Sequence, residues 1–297
     1  MKKLRKVIYI LGILILLPIA IILFGYCYGS RHFVVKECEV CFDSLPPQFD
    51  GYRIVQFSDF HAGAFHCGHD KDVSRLIDLI NAQQGDIICF TGDLVTRESS
   101  ELEGFTDELR RLKAHDGVYS VMGNHDYSLY RRISLAERKV DIQNLQRLQR
   151  SFGWNLLLND KKIISKGNDS IAIIGVENDG TPPHFPAYAN LPKALDGIDS
   201  STFKVLLSHD PTHWKRNVLP ETNINLTISG HTHAGQLLIF GWSPVDLVYK
   251  EWTGLYEHNG RYLHISNGVG CVPLPFRIGA WPEINVITLK RNVGKSK

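Results

Sequence analysis

The feature that most constrains the fold is a pattern that recurs five times: a short apolar run ends in a cluster of Asp, His, Asn or Gly. The five runs and clusters are YRIVQF into Asp59-Phe60-His61, DIICF into Gly92-Asp93, GVYSVM into Gly123-Asn124-His125-Asp126, FKVLL into Ser208-His209, and Ile224–Ile228 into Gly230-His231-Thr232-His233. Helical spacing of apolar residues follows two of these runs, at Val73–Ile80 and Leu102–Leu112. Strands that alternate with helices at this spacing predict βαβ units and an α/β fold with mostly parallel strands.

The residues after the runs have the chemistry of metal ligands. In open α/β sheets ligands bind beyond the carboxyl ends of the strands, so these side chains can converge. Together they offer more imidazole, carboxylate and amide donors than one closed zinc site needs, and about the number that suits two divalent ions. Asp93, which has no second ligand beside it, is the natural bridge. Residues two apart in extended backbone point the same way, so Asp59 with His61, and His231 with His233, are each expected to face one cavity.

In this order, the five clusters resemble the motif series of the calcineurin-like metallophosphoesterase family, over roughly Tyr52 to the C-terminus. Within that family the chain looks most like the membrane-anchored bacterial branch with YkuE- and YaeI-type members, which its tail at Asn267-Gly268-Val269-Gly270, Arg277 and Pro282-Glu283-Ile284 also resembles. The resemblance implies a four-layer α/β/β/α sandwich. It also implies hydrolysis of phosphate monoesters, diesters or pyrophosphates by two divalent ions, and such ligands suit Mn, Fe, Zn or Co.

The resemblance further implies a role for each candidate residue. The metal ligands fall into two sets that share one carboxylate: Asp59, His61, Asp93 and His233 for one ion, and Asp93, Asn124, His209 and His231 for the other. The resemblance gives His125 contact with the substrate phosphate and protonation of the leaving oxygen, with Asp126 orienting it. An imidazole beside metals is a suitable general acid near neutral pH.

The N-terminus predicts a membrane anchor. The 24 positions from Val7 to Ser30 hold no charged residue, and about 20 apolar residues span a bilayer core. A cleaved signal peptide is the alternative, but the run exceeds a usual h-region and no A-x-A-like site follows it. Four bases precede the run, so the positive-inside rule places the catalytic domain outside the cytoplasm, with the cytoplasmic side left open. The expected organisation is a basic flank and anchor over 1–30, a linker with a first strand over 31–50, and the metallophosphoesterase domain over 51–297.

The distribution of charge narrows the classes of possible partner, and the cysteine spacing argues against a zinc site. Four of the 33 basic residues lie in the first six positions, so the rest of the chain carries 29 bases against 31 acids. A basic nucleic-acid-binding domain therefore has no support. Cys38-x-x-Cys41 has no second pair to complete a zinc site and lies in the strand-like segment Val34–Phe42. Incidental strand cysteines are expected, with a disulfide as the alternative, and the oligomeric state stays open.

Other histidines and two aromatic loops have no assigned role. His66 and His69 lie in a Gly-rich loop, where solvation is expected and substrate contact is the alternative. His213, four residues after His209, is expected to be an ordinary residue, with support of the metal ligands as the alternative. The loops Thr181–Leu191 and Gly241–Tyr256 are rich in Phe, Tyr, Trp, Leu and Pro. Core packing explains them most simply, and a groove for acyl chains near the membrane is the second hypothesis.

These features predict a membrane-anchored dinuclear phosphoesterase in which a water activated by both ions attacks phosphorus in line. The anchor favours a lipid-linked substrate. UDP-2,3-diacylglucosamine, of lipid A synthesis, is one option that the resemblance suggests, but that substrate is cytoplasmic and conflicts with the predicted orientation. A cell-envelope phosphodiester agrees with that orientation. A non-catalytic metal-dependent scaffold and a redox role for Cys38 and Cys41 are the remaining alternatives.

Overall fold

The computed structural model describes residues 2–66, 70–180 and 185–292. Within them the α-helices are α1 Lys2–Cys27, α2 Ala62–Phe65, α3 Asp70–Ala82, α4 Thr106–Leu109, α5 Leu135–Ser151, α6 Leu191–Leu195 and α7 Leu219–Glu221. The strands are β1 Val34–Phe42, β2 Arg53–Phe57, β3 Ile87–Phe90, β4 Val118–Ser120, β5 Asn155–Leu156, β6 Asp160–Lys166, β7 Asp169–Gly175, β8 Phe203–Leu207, β9 Leu226–Ser229, β10 Gly254–His258, β11 Arg261–Ile265 and β12 Glu283–Arg291. A π-helical segment, Trp214–Val218, leads directly into α7.

The strands form two six-stranded mixed sheets. The first has the order β1-β12-β2-β3-β4-β5, and the second has the order β10-β11-β9-β8-β7-β6. β2, β3, β4 and β5 are parallel to one another, as are β7, β8, β9 and β11. The expectation of mostly parallel strands is therefore confirmed, with antiparallel pairs at β12–β2, β6–β7 and β10–β11.

Three apolar layers hold the sheets and helices together, and they confirm the four-layer α/β/β/α sandwich. Side chains such as Leu76 and Ile80 of α3 pack on one face of the first sheet. The two sheets face each other through residues such as Ile54 and Val205. The outer face of the second sheet is covered by the 191–195 helix and by the helical segment around Trp214. Burial of these apolar surfaces supplies most of the driving force for folding.

Two predicted elements differ from the structure. The helical pattern Leu102–Leu112 is a 3-10 turn, Ser99–Leu102, followed by the single turn of α4. Gly104, with φ +87°, separates them. The apolar sequence of Gln236–Phe240 also predicts a strand, but this segment makes only isolated bridge pairs, since Gln236 and Phe240 both have left-handed φ. Strands require extended backbone throughout, so the apolar sequence alone gave the wrong element.

The N-terminal helix α1 is long and apolar enough to cross a membrane by its length and composition, as expected. Downstream of it, β1 pairs with β12 along its whole length, so the first strand lies within the first sheet. The predicted domain boundaries stay predictions.

Cys38 and Cys41 are both free thiols on β1. Because they are three positions apart in a strand, they lie on opposite faces and do not pair.

Candidate metal centre

The five clusters meet where the two sheets expose the carboxyl ends of neighbouring strands. β2, β3 and β4 are adjacent in the first sheet, and β8 and β9 are adjacent in the second. Ligand atoms lie within 4.8 Å of one another in three overlapping sets: Asp59, His61 and His233; His61, Asp93 and His125; and Asp93, His209 and His231. The structure therefore brings together the residues that the sequence nominated, while their roles as ligands stay predictions.

Asp93 lies between the two predicted ligand sets. Its Oδ2 is 3.1 Å from Nε2 of His209 and 3.7 Å from Nε2 of His61. Its Oδ1 accepts the backbone N–H of His125 at 2.8 Å. One carboxylate oxygen thus faces imidazoles of both sets, while the other is committed to the backbone. This is the geometry expected of a bridging carboxylate.

On one side of Asp93, the ring nitrogens of His61 and His233 converge with the carboxylate of Asp59. Nε2 of His233 lies 3.1 Å from Nε2 of His61 and 3.3 Å from Oδ1 of Asp59. Two ring nitrogens this close form a hydrogen bond only if one carries a proton, whereas a cation accepts the lone pairs of both. Nδ1 of His61 is buried without a hydrogen-bond partner among the described residues. These donors fit a divalent metal ion.

On the other side, His209 is held in a defined tautomer. Its Nδ1 donates to the carbonyl of Thr91 at 2.8 Å, so its Nε2 faces the centre. Nε2 lies 3.2 Å from Oδ1 of Asn124, whose Nδ2 donates to the hydroxyl of Tyr130 at 2.7 Å. The amide oxygen is therefore directed at the same point as the imidazole and Asp93. A nitrogen, a carboxylate oxygen and an amide oxygen around one point also fit a divalent ion.

The electrostatics of the cluster favour a cation. Burial raises the pKa of Asp93, but the imidazoles of His209 and His125 outweigh burial and hold that pKa well below its usual range. Burial and the nearby His125 lower the pKa of His61 well below its ordinary value. Burial also lowers the pKa of His209, but Asp93 outweighs it and raises the pKa to about 10. Without a metal, a proton on Nε2 of His209 takes the place that a cation would fill.

The backbone at the site is mostly left-handed, which corrects the expectation that each pair of ligands lies on extended backbone. The five affected residues are Asp59, His61, Asp93, His231 and His233, with φ between 47° and 76°. Such conformations cost of order 1–3 kcal/mol each in non-glycine residues and cluster at functional sites. His231 and His233 consequently join different sets, one with Asp93 and one with Asp59.

Glycines permit the close approach of the loops. Gly92 has φ +100°, which a side chain would strain. A Cβ on Gly123 would lie 2.2 Å from Oδ1 of Asp93. At Gly123 the requirement is therefore space beside the carboxylate.

His125 is held at the edge of the centre by contacts that the sequence did not indicate. Its Nδ1 bonds to the carbonyl of Thr96 at 2.7 Å. Its ring lies 4.3 Å from that of Tyr130 and 4.8 Å from that of His61, between centroids. With Nδ1 committed to a backbone carbonyl, Nε2 is the nitrogen available to a substrate.

The predicted orientation of His125 by Asp126 needs correction. Oδ1 of Asp126 accepts the backbone N–H groups of Leu94 and Val95, and Oδ2 accepts those of Asp93 and Gly123. Among the described residues, none of these bonds reaches the His125 ring, whose Nδ1 is satisfied by Thr96 instead. Asp126 therefore fixes the two loops that carry Asp93 and Asn124. Orphan N–H groups at the ends of β3 and β4 attract a buried carboxylate there.

Three further side chains contact the predicted ligands. The hydroxyl of Tyr249 lies 2.9 Å from Nε2 of His231, and the ring of Phe185 lies 4.9 Å from the same imidazole. Arg277 donates to Nδ1 of His233 at 3.0 Å. Tyr249 and Phe185 lie in the two aromatic loops noted in the sequence. The spacing of residues in the sequence did not indicate that either would contact His231.

The remaining candidate histidines lie apart from the centre. His66 bonds to the carbonyl of Glu101 and stacks on Phe105, and His69 lies outside the described residues. His213 is buried, with Nδ1 2.9 Å from the hydroxyl of Ser208, the residue before His209. This contact makes His213 a neighbour of the loop that carries a predicted ligand.

The sequence matches a known protein family and is similar to several known proteins. The family model for calcineurin-like phosphoesterase matches residues 52–235. "Transmembrane protein with metallophosphoesterase domain" from Danio rerio is 28% identical over 281 residues, which are 90% of this chain and 60% of that protein. Its namesake from Bos taurus is 27% identical over 98% of this chain and 64% of its own length. "Uncharacterized metallophosphoesterase YkuE" from Bacillus subtilis is 29% identical over 90% of both chains. The chain thus spans less than two thirds of the two vertebrate proteins.

Proposed function

The chain belongs to the calcineurin-like phosphoesterase family, and we propose that this hydrolase of phosphoric ester bonds binds two divalent ions in one centre and acts on a phosphate ester at a membrane. The observation that carries the proposal is the position of Asp93, whose Oδ2 faces His209 at 3.1 Å and His61 at 3.7 Å. A single carboxylate between two sets of ligands is what a pair of ions needs.

The proposed ligands form two sets, one for each ion. Asp59, His61 and His233 would hold one ion with Asp93, and Asn124, His209 and His231 would hold the other with the same carboxylate. Two bound divalent ions supply Lewis-acid charge to a phosphoryl oxygen and lower the pKa of water. Asn124 contributes a neutral oxygen, so the centre keeps net positive charge for an anionic phosphate. The buried carboxylate of Asp126 keeps the loops of β3 and β4 in register.

His125 is proposed to move the proton. Its Nδ1–H is held by the carbonyl of Thr96, so a second proton on Nε2 can pass to the leaving oxygen as the bond to phosphorus breaks. The protonated ring also offers a positive charge to the phosphate. General acid catalysis of this kind contributes about 10²–10⁴-fold to a rate.

Features of α1 and its flanks support the proposed substrate and the proposed side of the membrane. A helix that is long and apolar enough to cross a membrane, together with relatives described as transmembrane, supports a single-pass membrane protein and a lipid-linked phosphate ester. The charge asymmetry around α1 supports an extracytoplasmic catalytic domain and a cell-envelope substrate. A topology reporter at the C-terminus tests this. A cytoplasmic result would transfer the proposal to a cytoplasmic substrate such as UDP-2,3-diacylglucosamine.

The activity is tested with full-length protein in detergent, Mn²⁺ and bis(p-nitrophenyl) phosphate. We expect metal-dependent turnover that Asp93→Ala abolishes and His125→Ala lowers at least a hundredfold. Matched controls are Asp107→Ala and His115→Ala, whose side chains are 91% and 84% exposed, and which should leave the rate unchanged. Bound metal without turnover in the wild type would contradict the proposal and favour the non-catalytic scaffold.

A further inference from the structure

An apolar surface lies beside the metal centre on loops that the catalytic residues do not use. We name it the apolar rim and define it by its exposed side chains: Ile239, Phe240, Trp242, Leu247, Val248 and Leu274. Phe240 is fully exposed at the tip of a two-residue turn, and Leu247 and Val248 are 80% and 77% exposed. Single exposed apolar residues are ordinary, but a group of this size on adjoining loops indicates a contact surface.

The apolar rim also carries little charge. Between Leu237 and Tyr249 the sequence has one charged residue, Asp246, and its carboxylate accepts the indole N–H of Trp252 at 3.1 Å. The segment Cys271–Phe276, which carries Leu274, has none. A surface that binds an acidic or basic partner would carry complementary charge. An apolar surface with so little charge suits the interior edge of a bilayer.

The apolar rim is connected by hydrogen bonds to the end of α1. The backbone of Leu238 donates to the carbonyl of Ile278 at 2.8 Å, and the backbone of Arg277 donates to the carbonyl of Gly25 at 3.2 Å. The ring of Phe276 packs so closely on Gly25 that a Cβ there would lie 2.4 Å from a ring carbon. The rim therefore sits at the same level as the last turns of α1.

The position of Gly25 along α1 fixes that level. Gly25 lies six positions before Arg31, the first charged residue after the uncharged run, which at 1.5 Å per residue is about 9 Å. The run of 24 residues is roughly 36 Å long as a helix, against about 30 Å for a hydrocarbon core. Gly25 is therefore near the boundary between acyl chains and headgroups. Phe276, in contact with it, is held at the same depth.

We propose that the apolar rim inserts into the bilayer that α1 crosses, so that the metal centre opens at the membrane surface and takes the phosphate ester of a lipid headgroup. This inference deepens the proposed phosphoesterase function and rests on it for the substrate. Two contacts connect the rim with the ligands. Tyr249, which follows Val248, lies against His231, and Arg277 lies against His233. Insertion would thereby hold both ligand sets at headgroup level.

Insertion can be measured without turnover. Full-length protein is reconstituted into phosphatidylcholine liposomes with or without bromine on the acyl chains. The emission of Trp242 is taken as the difference between the wild type and Trp242→Phe. We expect bromine to quench this emission, and we expect the triple variant Phe240→Ser/Leu247→Ser/Val248→Ser to lose most of the quenching. The matched control, Leu135→Ser/Val140→Ser, removes exposed apolar residues of α5 and should change nothing. Trp242 emission that is indifferent to bromine overturns the insertion.

A second arm tests the substrate. The same liposomes carry phosphatidic acid or phosphatidylglycerol, and bis(p-nitrophenyl) phosphate is the soluble comparison. The triple variant should hydrolyse lipid phosphate at least tenfold more slowly than the wild type, with the soluble rate within twofold, which also shows that it folds. Equal loss on both substrates, or a wild type that cleaves only the soluble ester, overturns the lipid assignment. Absence of all turnover contradicts the proposed function instead, while quenching still decides insertion.

Discussion

The guanidinium of Arg277 donates a hydrogen bond to Nδ1 of His233 at 3.0 Å. The same residue contacts Gly25 of α1 through its backbone N–H, so one residue connects the membrane helix with a predicted metal ligand. Because Nδ1 accepts this bond, the neutral His233 ring carries its proton on Nε2. A metal on Nε2 requires that proton to move to Nδ1, where it displaces the hydrogen bond from Arg277. Metal binding at His233 is therefore coupled to the Arg277 contact.

Replacement of Arg277 should destabilise the domain. Its buried side chain also donates to the carbonyls of Gly270, Asn267 and Ala280. Arg277→Met leaves these carbonyls without that donor, at a cost of about 3 kcal/mol, which corresponds to a fall of about 5–10 °C in thermal midpoint. Differential scanning calorimetry of the full chain in detergent measures it. Arg110→Met, which removes an exposed ion pair with Asp107, is the control and should cost less than 1 kcal/mol.

Asp126 should behave as a structural residue. Asp126→Asn replaces one of two acceptor oxygens by a donor, so one pair of the four backbone N–H groups it now binds loses its partner. We expect a loss of about 2–3 kcal/mol in the free energy of unfolding together with weaker metal binding. His125→Ala, in contrast, should leave the thermal midpoint nearly unchanged. If Asp126→Asn kept the stability and metal content of the wild type and lost only turnover, a direct catalytic role would be the better explanation.

His125 should matter most when the leaving group is a poor one. An alkoxide needs a proton as it departs, whereas p-nitrophenolate leaves without one. His125→Ala should therefore lower kcat further for an alkyl phosphate ester than for a p-nitrophenyl ester, by an extra factor of about ten or more. Metal content should not change. The same loss for both esters would assign His125 to phosphate binding alone.

Acid should destabilise the protein partly through His264. Its Nδ1 donates to Oε1 of Gln56 at 2.8 Å, and burial lowers its pKa to about 4. The unfolded chain, with a pKa near 6.5, binds the proton more readily, so the stabilisation is present above about pH 6.5 and is lost as pH falls toward 4. At pH 5 the loss is on the order of 2 kcal/mol. His264→Gln should flatten the dependence of the thermal midpoint on pH in this window, and the exposed control His115→Gln should not.

The sequence predicted the strands and their ligand clusters because both signals are local. Asp59, Asp93 and His209 each follow a short apolar run, and such runs form buried strands wherever a second sheet covers them. The order of the two sheets is not local, and the four-layer arrangement came from the family resemblance rather than from the residue pattern.

Contacts between distant segments could not be predicted. Arg277 reaches His233 across 44 positions, and Thr96 reaches His125 across 29. Nothing in the spacing of these residues indicates a partner. The left-handed backbone at Asp59 and His231 was likewise hidden, because such conformations are imposed by the surrounding packing and are unfavourable for the residues themselves.

The central claim, two ions that share Asp93, is tested most directly by counting metal. Full-length protein loaded with Mn²⁺ and freed of excess ion is measured by mass spectrometry of the metal against protein concentration. We predict two ions per chain in the wild type, one in His209→Ala, and fewer than one in Asp93→Ala. A wild type that holds a single ion, or an Asp93→Ala variant that still holds two, would contradict the claim.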